Sequence, residues 1–241
     1  MNVLSIGNSF STNAHKFLPH MARVAGKELL LCNLFIGGCS LEQHWKNWRE
    51  ENDAYDYEVY LPFETEMSRP DGVCLHEAVE DEEWDIITIQ QCSGLSGIPE
   101  SYSPYLSELA EYCRMVQPKA KIMLHQTWAY ETDSTHGGFV NYENSRPKMY
   151  EAIVNASNEM CKKYNLDIIP NGDAVEEARK LPEFDEKTHP ITRDGFHLSL
   201  DYGRYLAGLV MYKFFTGKNA TEVEYEPDGT DHEICQKLKE I

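Results

Sequence analysis

The chain has 241 residues, a length that one domain with a sizeable core commonly reaches, so we expect a single domain over residues 1–241. It carries 22 Lys and Arg against 40 Asp and Glu, a formal net charge of -18. Such a field repels a phosphate backbone or an anionic membrane surface, so neither nucleic acid nor a membrane is an expected partner. Polyanionic substrates are disfavoured as well, although a local basic pocket can override the global field.

The cysteines and the apolar runs bear on the compartment. Seven cysteines are scattered singly, without a C-x-x-C pair or a zinc-ligand spacing, which fits a reducing compartment better than a disulfide framework. Residues 1–10 lack the basic start and long apolar run of a signal peptide, and no segment approaches the roughly 20 apolar residues of a membrane span. We therefore expect a cytoplasmic protein without metal or cofactor. The sequence makes no prediction of the oligomeric state.

Short apolar runs alternate with longer amphipathic stretches along the chain, a pattern typical of β-α-β units around a parallel sheet. The predicted strands lie at about 2–6, 29–35, 85–90, 120–126 and 166–169. The clearest predicted helices lie at about 12–25, 40–50, 103–116, 145–164 and 199–216. Ser40, Ser103 and Ser199 are candidate caps for three of these helices.

Residues 53–83 interrupt this alternation. The stretch from Tyr55 to Thr65 mixes aromatic and acidic residues in near alternation, and Arg69-Pro70-Asp71-Gly72 is a turn signal. The segment predicts an inserted hairpin or irregular flap, which either shapes a binding site at the carboxyl edge of the sheet or merely covers that edge. The acidic tail beyond Phe215 predicts a short surface helix at its end.

Two motifs far apart in the sequence supply the groups of a serine nucleophile. The first predicted strand runs into Gly7-Asn8-Ser9, which places a serine at the carboxyl end of a strand and near a helix N-terminus. The last loop carries Asp194-Gly195-Phe196-His197, a carboxylate and an imidazole three residues apart. Taken alone, each residue is more often a cap, a turn former or a surface histidine. Taken together they indicate a base, its orienting acid and a nucleophile.

These motifs resemble those of the SGNH hydrolases, a branch of the GDSL esterase/lipase superfamily, and the likeness extends over nearly the whole chain. Gly7-Asn8-Ser9 matches the first block of that family, which implies that Ser9 is the nucleophile. Gly37-Gly38-Cys39-Ser40 matches the second block, which implies that the backbone amide of Gly38 enters the oxyanion hole beside that of Ser9. The D-x-x-H block implies that Asp194 orients His197 and that His197 is the base.

The third block departs from the family pattern. The family usually carries Gly-x-Asn-Asp after the third strand, with the asparagine donating to the oxyanion, whereas this chain has Gln90-Gln91 at that place. A glutamine amide can make the same donation, so Gln90 or, failing that, Gln91 is the expected donor. The alternative is that either glutamine fixes the loop by bonding to backbone. This block resembles that of a bacterial SGNH subgroup without an assigned function.

The resemblance implies a three-layer α/β/α sandwich with five parallel strands in flavodoxin-like order. It also implies a serine esterase that removes acetyl or another short acyl group from a carbohydrate or similar polar alcohol, the substrate being a small molecule or an oligosaccharide ester. The loop after the fourth predicted strand carries Gln126, Trp128 and Tyr130, whose aromatic faces and amide suit a sugar ring. These three residues are the expected substrate-binding side chains.

Two further readings stay open at the level of the sequence. The missing Gly-x-Asn-Asp block favours a noncatalytic carbohydrate-binding or regulatory protein that has kept the fold, whereas the retained triad positions argue against it. An acyltransferase or thioesterase would use the same triad, because water and a second alcohol compete for the same acyl-enzyme.

Overall fold

The computed structural model describes residues 1–187 and 189–241. The strands of the described residues are β1 (Asn2–Gly7), β2 (Leu30–Phe35), β3 (Asp56–Tyr60), β4 (Ile86–Ile89), β5 (Lys121–His125) and β6 (Asp167–Ile169). The helices of the same residues are α1 (Ser9–His15), α2 (Leu18–Val24), α3 (Leu41–Arg49), α4 (Leu75–Glu80), α5 (Tyr105–Val116), α6 (Arg146–Tyr164), α7 (Asn171–Ala178), α8 (Tyr202–Thr216) and α9 (His232–Glu240).

The strands form one twisted sheet in the order β3-β2-β1-β4-β5-β6. All five predicted strands are present, they pair in parallel, and without β3 their order is that of flavodoxin. The prediction of a purely parallel five-stranded sheet is wrong in one respect, because β3 adds a sixth strand that runs antiparallel to β2. The central strands are buried on both faces, which is why they read as short continuous apolar runs in the sequence.

The insertion at residues 53–83 supplies that additional strand. Its backbone returns past β3 through isolated antiparallel bridges, Tyr55 with Val73 and Val59 with Ser68, and it then enters α4. The insertion is thus a hairpin that adds one strand, β3, to the edge of the sheet beside β2. The sequence predicted a hairpin or flap here but not that its strand joins the main sheet, because Asp56 and Glu58 interrupt the apolar run expected of a sheet strand.

Helices cover both faces of the sheet, as the sandwich prediction requires. One core lies under α1, α2, α7, α8 and α9, and the other lies under α3, α4 and α5, with α6 contributing to each. The helix α8 is buried almost all round because it packs between its neighbours and the sheet. No helix within residues 1–187 and 189–241 is both long and apolar enough to cross a membrane.

Several helix boundaries follow from capping residues. The predicted helix at 12–25 is two helices, since α2 restarts with Pro19 in its first turn and α1 already begins at Ser9. The predicted cap of α3 is confirmed, because the hydroxyl of Ser40 accepts the backbone N–H of Gln43 at 3.2 Å. The helix α9 confirms the predicted helix in the tail. The short helix α7 was missed in the sequence because its apolar stripe is interrupted by Asp173 and Glu176.

Candidate active site

The turn at Gly7-Asn8-Ser9 places the serine hydroxyl at the carboxyl edge of the sheet. Asn8 is the N-cap of α1, in an extended conformation, and its Oδ1 accepts the backbone N–H of Phe10 at 3.0 Å. The turn requires a glycine at residue 7, because a Cβ there would lie 2.1 Å from Oγ of Ser11. Ser9 is therefore the first residue of a helix whose N-terminal amides face the site.

The D-x-x-H loop brings an imidazole to this serine. Asp194 Oδ1 accepts the backbone N–H groups of Phe196 and His197, and its Oδ2 lies 2.7 Å from Nδ1 of His197. The other ring nitrogen, Nε2, lies 2.9 Å from Oγ of Ser9. Because the Nδ1–H group of His197 donates a hydrogen bond to the Asp194 carboxylate, Nε2 carries no proton and is free to accept the serine proton. Burial raises the pKa of Asp194, but the hydrogen bonds from the His197 side chain and backbone outweigh it and leave that pKa lowered.

Two groups from elsewhere in the chain, a side chain and a backbone amide, hold this loop in place. Trp128 donates its indole N–H to the carbonyl of Phe196 at 2.7 Å, and the backbone N–H of Glu131 donates to the carbonyl of Gly195 at 2.8 Å. The ring of Trp128 stacks on Phe10 at 4.1 Å between centroids. The residue after the nucleophile and the residue before the base are thus joined through one tryptophan.

A buried carboxylate supports the same loop. Glu131 is almost fully buried, and its Oε1 accepts from Nη2 of Arg179 at 2.8 Å and from the hydroxyl of Thr192 at 3.1 Å. A buried carboxylate needs such partners, since desolvation otherwise disfavours its charge. Glu131 was missed in the sequence because its partners come from α7 and from the approach to the D-x-x-H motif, which no local pattern connects.

Gln90 of the third block is buried directly beneath the nucleophile turn. Its Nε2 donates to Oδ1 of Asn8 at 2.6 Å, and its Oε1 accepts from Oγ of Ser11 at 2.5 Å and from Nδ1 of His125 at 2.9 Å. The second ring nitrogen of His125 accepts from Nδ2 of Asn171 at 2.8 Å. Full burial lowers the pKa of His125 to about 3, so its imidazole is neutral with the proton on Nδ1.

Gln91 points elsewhere. Its Nε2 donates to both the carbonyl and the hydroxyl oxygen of Ser101 at 3.0 Å, and its Oε1 accepts the backbone N–H groups of Leu41 and Cys92. A glutamine amide has two hydrogens, so these bonds take up its donor capacity. This corrects the expectation that Gln91 could serve as the oxyanion donor, because in this arrangement it fixes the loop. Gln90 keeps one amide hydrogen with no acceptor within the described residues.

The glycine loop after β2 is tied to the nucleophile turn. Nδ2 of Asn8 donates to the carbonyl of Cys39 at 3.1 Å, so the turn that holds Gly38 is fixed relative to Ser9. Gly38 has φ +66°, a left-handed conformation that favours glycine. Gly38 is exposed, and no acceptor in residues 1–187 or 189–241 takes its N–H or that of Ser9.

The three expected substrate-binding side chains are not at the surface. Gln126, Trp128 and Tyr130 are between 0 and 2 % exposed, which corrects their assignment as sugar contacts. The amide of Gln126 bonds to Ser157 and to the backbone of Asp173, and the hydroxyl of Tyr130 lies 2.7 Å from that of Ser93. Trp128 and Tyr130 do contact Phe196 beside His197, but their position after a strand carried no information about which way the side chains turn.

Other aromatic residues line the exposed side of the triad. Phe196 packs on His197 at 4.2 Å between centroids, and His136 meets Phe196 edge to face at 4.8 Å. Both are partly exposed. Burial lowers the pKa of His136, and the neighbouring His197 lowers it further, so His136 is a neutral polar aromatic group beside the base.

One group of side chains outside the triad could hold a metal ion. Within the described residues, Asp53, Cys74 and Glu77 place their ligand atoms within 4.8 Å of one another. Two of them already have a structural role, since Cys74 and Glu77 form the capping box of α4. The expectation that the triad works without a metal stays a prediction.

The architecture is that of the SGNH- and GDSL-type hydrolases. A candidate SGNH hydrolase from Slackia heliotrinireducens superposes with a TM-score of 0.60 at 20 % identity, over 89 % of this chain and 98 % of its own. The acetyl xylan esterase AlAXEase superposes with a TM-score of 0.56 at 12 % identity, over 90 % of this chain and 99 % of its own. At these sequence identities the superpositions establish only the fold. They confirm that the chain has the fold expected from its SGNH-like motifs.

The sequence places the chain more narrowly. It belongs to the DUF4886 family, described as a domain of unknown function, whose profile matches residues 2–240. The crystal structure of a DUF4886 family protein from Bacteroides uniformis ATCC 8492 superposes with a TM-score of 0.93 at 37 % identity, over 100 % of this chain and 92 % of that one. Among curated proteins none matches the chain.

Proposed function

We propose that this protein is a serine esterase that hydrolyses short acyl esters, acetyl esters above all, of a carbohydrate or similar polar alcohol. The observation that carries the proposal is the line of hydrogen bonds from Asp194 through His197 to Oγ of Ser9, at 2.7 and 2.9 Å. This order and these distances are what a nucleophile, its base and an orienting acid require.

In the proposed reaction Ser9 Oγ attacks the ester carbonyl while Nε2 of His197 takes the hydroxyl proton. The tetrahedral intermediate collapses when the protonated His197 returns that proton to the leaving alcohol, which forms an acyl-serine. Water then attacks the acyl group with His197 again as base, and the acid leaves as Ser9 recovers its proton. Asp194 stays ionised throughout and stabilises the imidazolium, in keeping with its lowered pKa.

The oxyanion donors of the proposal come from two elements that Asn8 joins. The backbone N–H groups of Ser9 and Gly38 have no acceptor within the described residues and are free to bind the carbonyl oxygen. The remaining amide hydrogen of Gln90 is the side-chain candidate, while its other bonds hold Asn8 in place. A donor of this kind typically contributes about 10² to 10³ in kcat.

The preference for a short acyl group and a polar alcohol rests on the surroundings of the triad. Its partly exposed neighbours, Phe196 and His136, are aromatic and compact, which suits a sugar face better than a long acyl chain. One protein of the same fold is an acetyl xylan esterase, an analogy of fold only. A noncatalytic protein would have no use for a triad within hydrogen-bond distance, so the esterase is preferred.

The proposal is tested by the variant Ser9→Ala on an aryl acetate and on acetylated oligosaccharides, beside wild type. We expect turnover to fall by at least about 10³-fold with a thermal midpoint close to that of wild type, because a partly exposed hydroxyl contributes little to packing. Ser107→Ala on α5, in the layer away from the site, is the matched control and should keep full activity.

A substrate-independent measurement completes the test. A fluorophosphonate probe should label wild type at Ser9 and leave Ser9→Ala unlabelled, because it reacts only with an activated serine. Equal turnover in Ser9→Ala and wild type, or labelling that does not depend on Ser9, would show that the serine esterase assignment is wrong.

A further inference from the structure

Two arginines meet beside the nucleophile helix. Nη1 of Arg193 and Nε of Arg204 both donate to Oδ1 of Asn13, at 3.1 and 3.4 Å, so the two guanidinium groups lie side by side. Arg193 directly precedes Asp194 in the sequence, and Arg204 lies in the first turn of α8. The two like charges therefore come together through the fold and not through a local motif.

Asn13 connects this pair to the reaction centre. Its Nδ2 donates to the backbone carbonyl of Ser9 at 2.5 Å, one helical turn earlier on α1. The arginines are thus separated from the nucleophile residue by a single side chain.

The pair is not neutralised by the protein. Neither arginine has a carboxylate within 4.0 Å in residues 1–187 and 189–241, although the chain carries 40 acidic residues. By contrast, Arg69, Arg146 and Arg179 each pair with a glutamate. Burial lowers the pKa of Arg204, and the charge of Arg193 lowers it further, which is the electrostatic sign of two cations in contact without an anion.

One guanidinium nitrogen of Arg193 makes structural hydrogen bonds, and the other two are left for a ligand. Its Nη1 also donates to the carbonyl of Leu198 at 2.7 Å, which latches the D-x-x-H loop to α1. Its Nε and Nη2, and both Nη atoms of Arg204, have no protein acceptor among the described residues. Arg193 is an exposed residue, and neither Nη atom of Arg204 is a buried unpaired atom. Solvent-accessible guanidinium donors of this kind match the oxygens of an anion.

We infer that the ester substrate carries an anionic group, a carboxylate as in an O-acetylated uronic acid, which Arg193 and Arg204 hold beside Ser9. This inference rests on the proposed esterase function and names its substrate class. The negative field of the whole chain would repel such a substrate at a distance, so the two arginines supply attraction only where the ester must sit. A neutral analogue does not relieve the repulsion between the two arginines, so it gains none of the free energy that a charged ester gains there.

The test compares kcat/KM for three acetylated methyl glycosides of the same sugar: the neutral glucoside, the glucuronide and the 6-sulfate. We expect both charged esters to be preferred over the neutral one by about tenfold or more, which is the range of a charge-assisted hydrogen bond. Arg204→Gln should reduce this ratio towards one, and Arg204→Lys should retain part of it. Arg23→Gln, which removes an exposed arginine of α2, should leave the ratio unchanged.

The outcomes separate this inference from the proposed function. Hydrolysis of neutral and charged esters at equal kcat/KM, dependent on Ser9, would overturn the inference and leave the esterase standing. Absence of hydrolysis together with absence of fluorophosphonate labelling would overturn the esterase. In that case calorimetry with methyl glucuronide decides on the arginines, since binding that Arg204→Gln abolishes supports an anion site and no binding overturns it.

Discussion

The substitution Gln90→Ala tests how the nucleophile turn is held. In wild type the Gln90 amide bonds to Asn8, Ser11 and His125, and all of these groups are buried. Removing it leaves the hydroxyl of Ser11 and the Nδ1–H of His125 without their acceptor. Each buried unsatisfied donor costs about 1–3 kcal/mol, so the free energy of unfolding should fall by about 2–6 kcal/mol.

The same substitution should affect catalysis separately from stability. Without Gln90, Oδ1 of Asn8 keeps only the N–H of Phe10, and the proposed side-chain donor to the oxyanion is gone. We expect kcat to fall by about 10² or more with little change in KM, the pattern of an interaction made mainly in the transition state. For a chain of this size the thermal midpoint should fall by roughly 5–20 °C.

Gln91→Ala provides the matched control, since Gln91 is equally buried and its Oε1 also accepts from two donors, the N–H groups of Leu41 and Cys92. Its loss should lower the thermal midpoint to a similar extent, whereas kcat should change by less than about tenfold because none of its bonds reaches the turn at Ser9. Steady-state kinetics on one acetyl ester, measured well below both midpoints, gives the comparison. Equal losses of kcat in the two variants would refute a specific role for Gln90.

Two further predictions concern acyl length and acid. The kcat/KM for an acetyl ester should exceed that for the octanoyl ester of the same alcohol, and the reverse order would indicate a lipase or thioesterase. His15, His44 and His125 are fully buried and burial lowers the pKa of each to about 3. Because the unfolded chain binds these protons near pH 6.5 and the native chain does not, the unfolding free energy should fall by up to about 4 kcal/mol per unit as pH drops below 6.5. Urea midpoints that are the same at pH 7 and pH 5 would contradict this.

The strands could be predicted because both of their faces are buried. Continuous apolar runs such as Ile86–Ile89 have few alternatives to a central strand, and the motifs then predicted Ser9 at the end of the first strand and His197 in a late loop. The edge strand β3 could not be found in the same way, since its pairing with β2 imposes no apolar pattern on both faces.

The orientation of the side chains in the site was harder to predict from the sequence than the strands were. The sequence placed Trp128 at a strand end near the triad, but only the stacking on Phe10 shows that its ring turns into the core. Nor could the sequence show that Arg193 and Arg204 share Asn13, because that contact joins a loop, α8 and α1 across the molecule. Non-local contacts of this kind produce no periodic pattern in the sequence from which they could be predicted.

The large sequence separation of Ser9 and His197 determines when the proposed triad can form while the chain is being synthesised. Ser9 and His197 are 188 residues apart, and β1, which presents the serine, pairs with β2 on one side and β4 on the other. At ordinary translation rates about 10–40 s pass between the appearance of the two residues. A serine hydroxyl without its base is a weak nucleophile, so Ser9 of the growing chain stays unreactive until the D-x-x-H loop has docked. The proposed hydrolytic activity thus requires that residues 194–197 are synthesised and docked, and chains that end before them lack it.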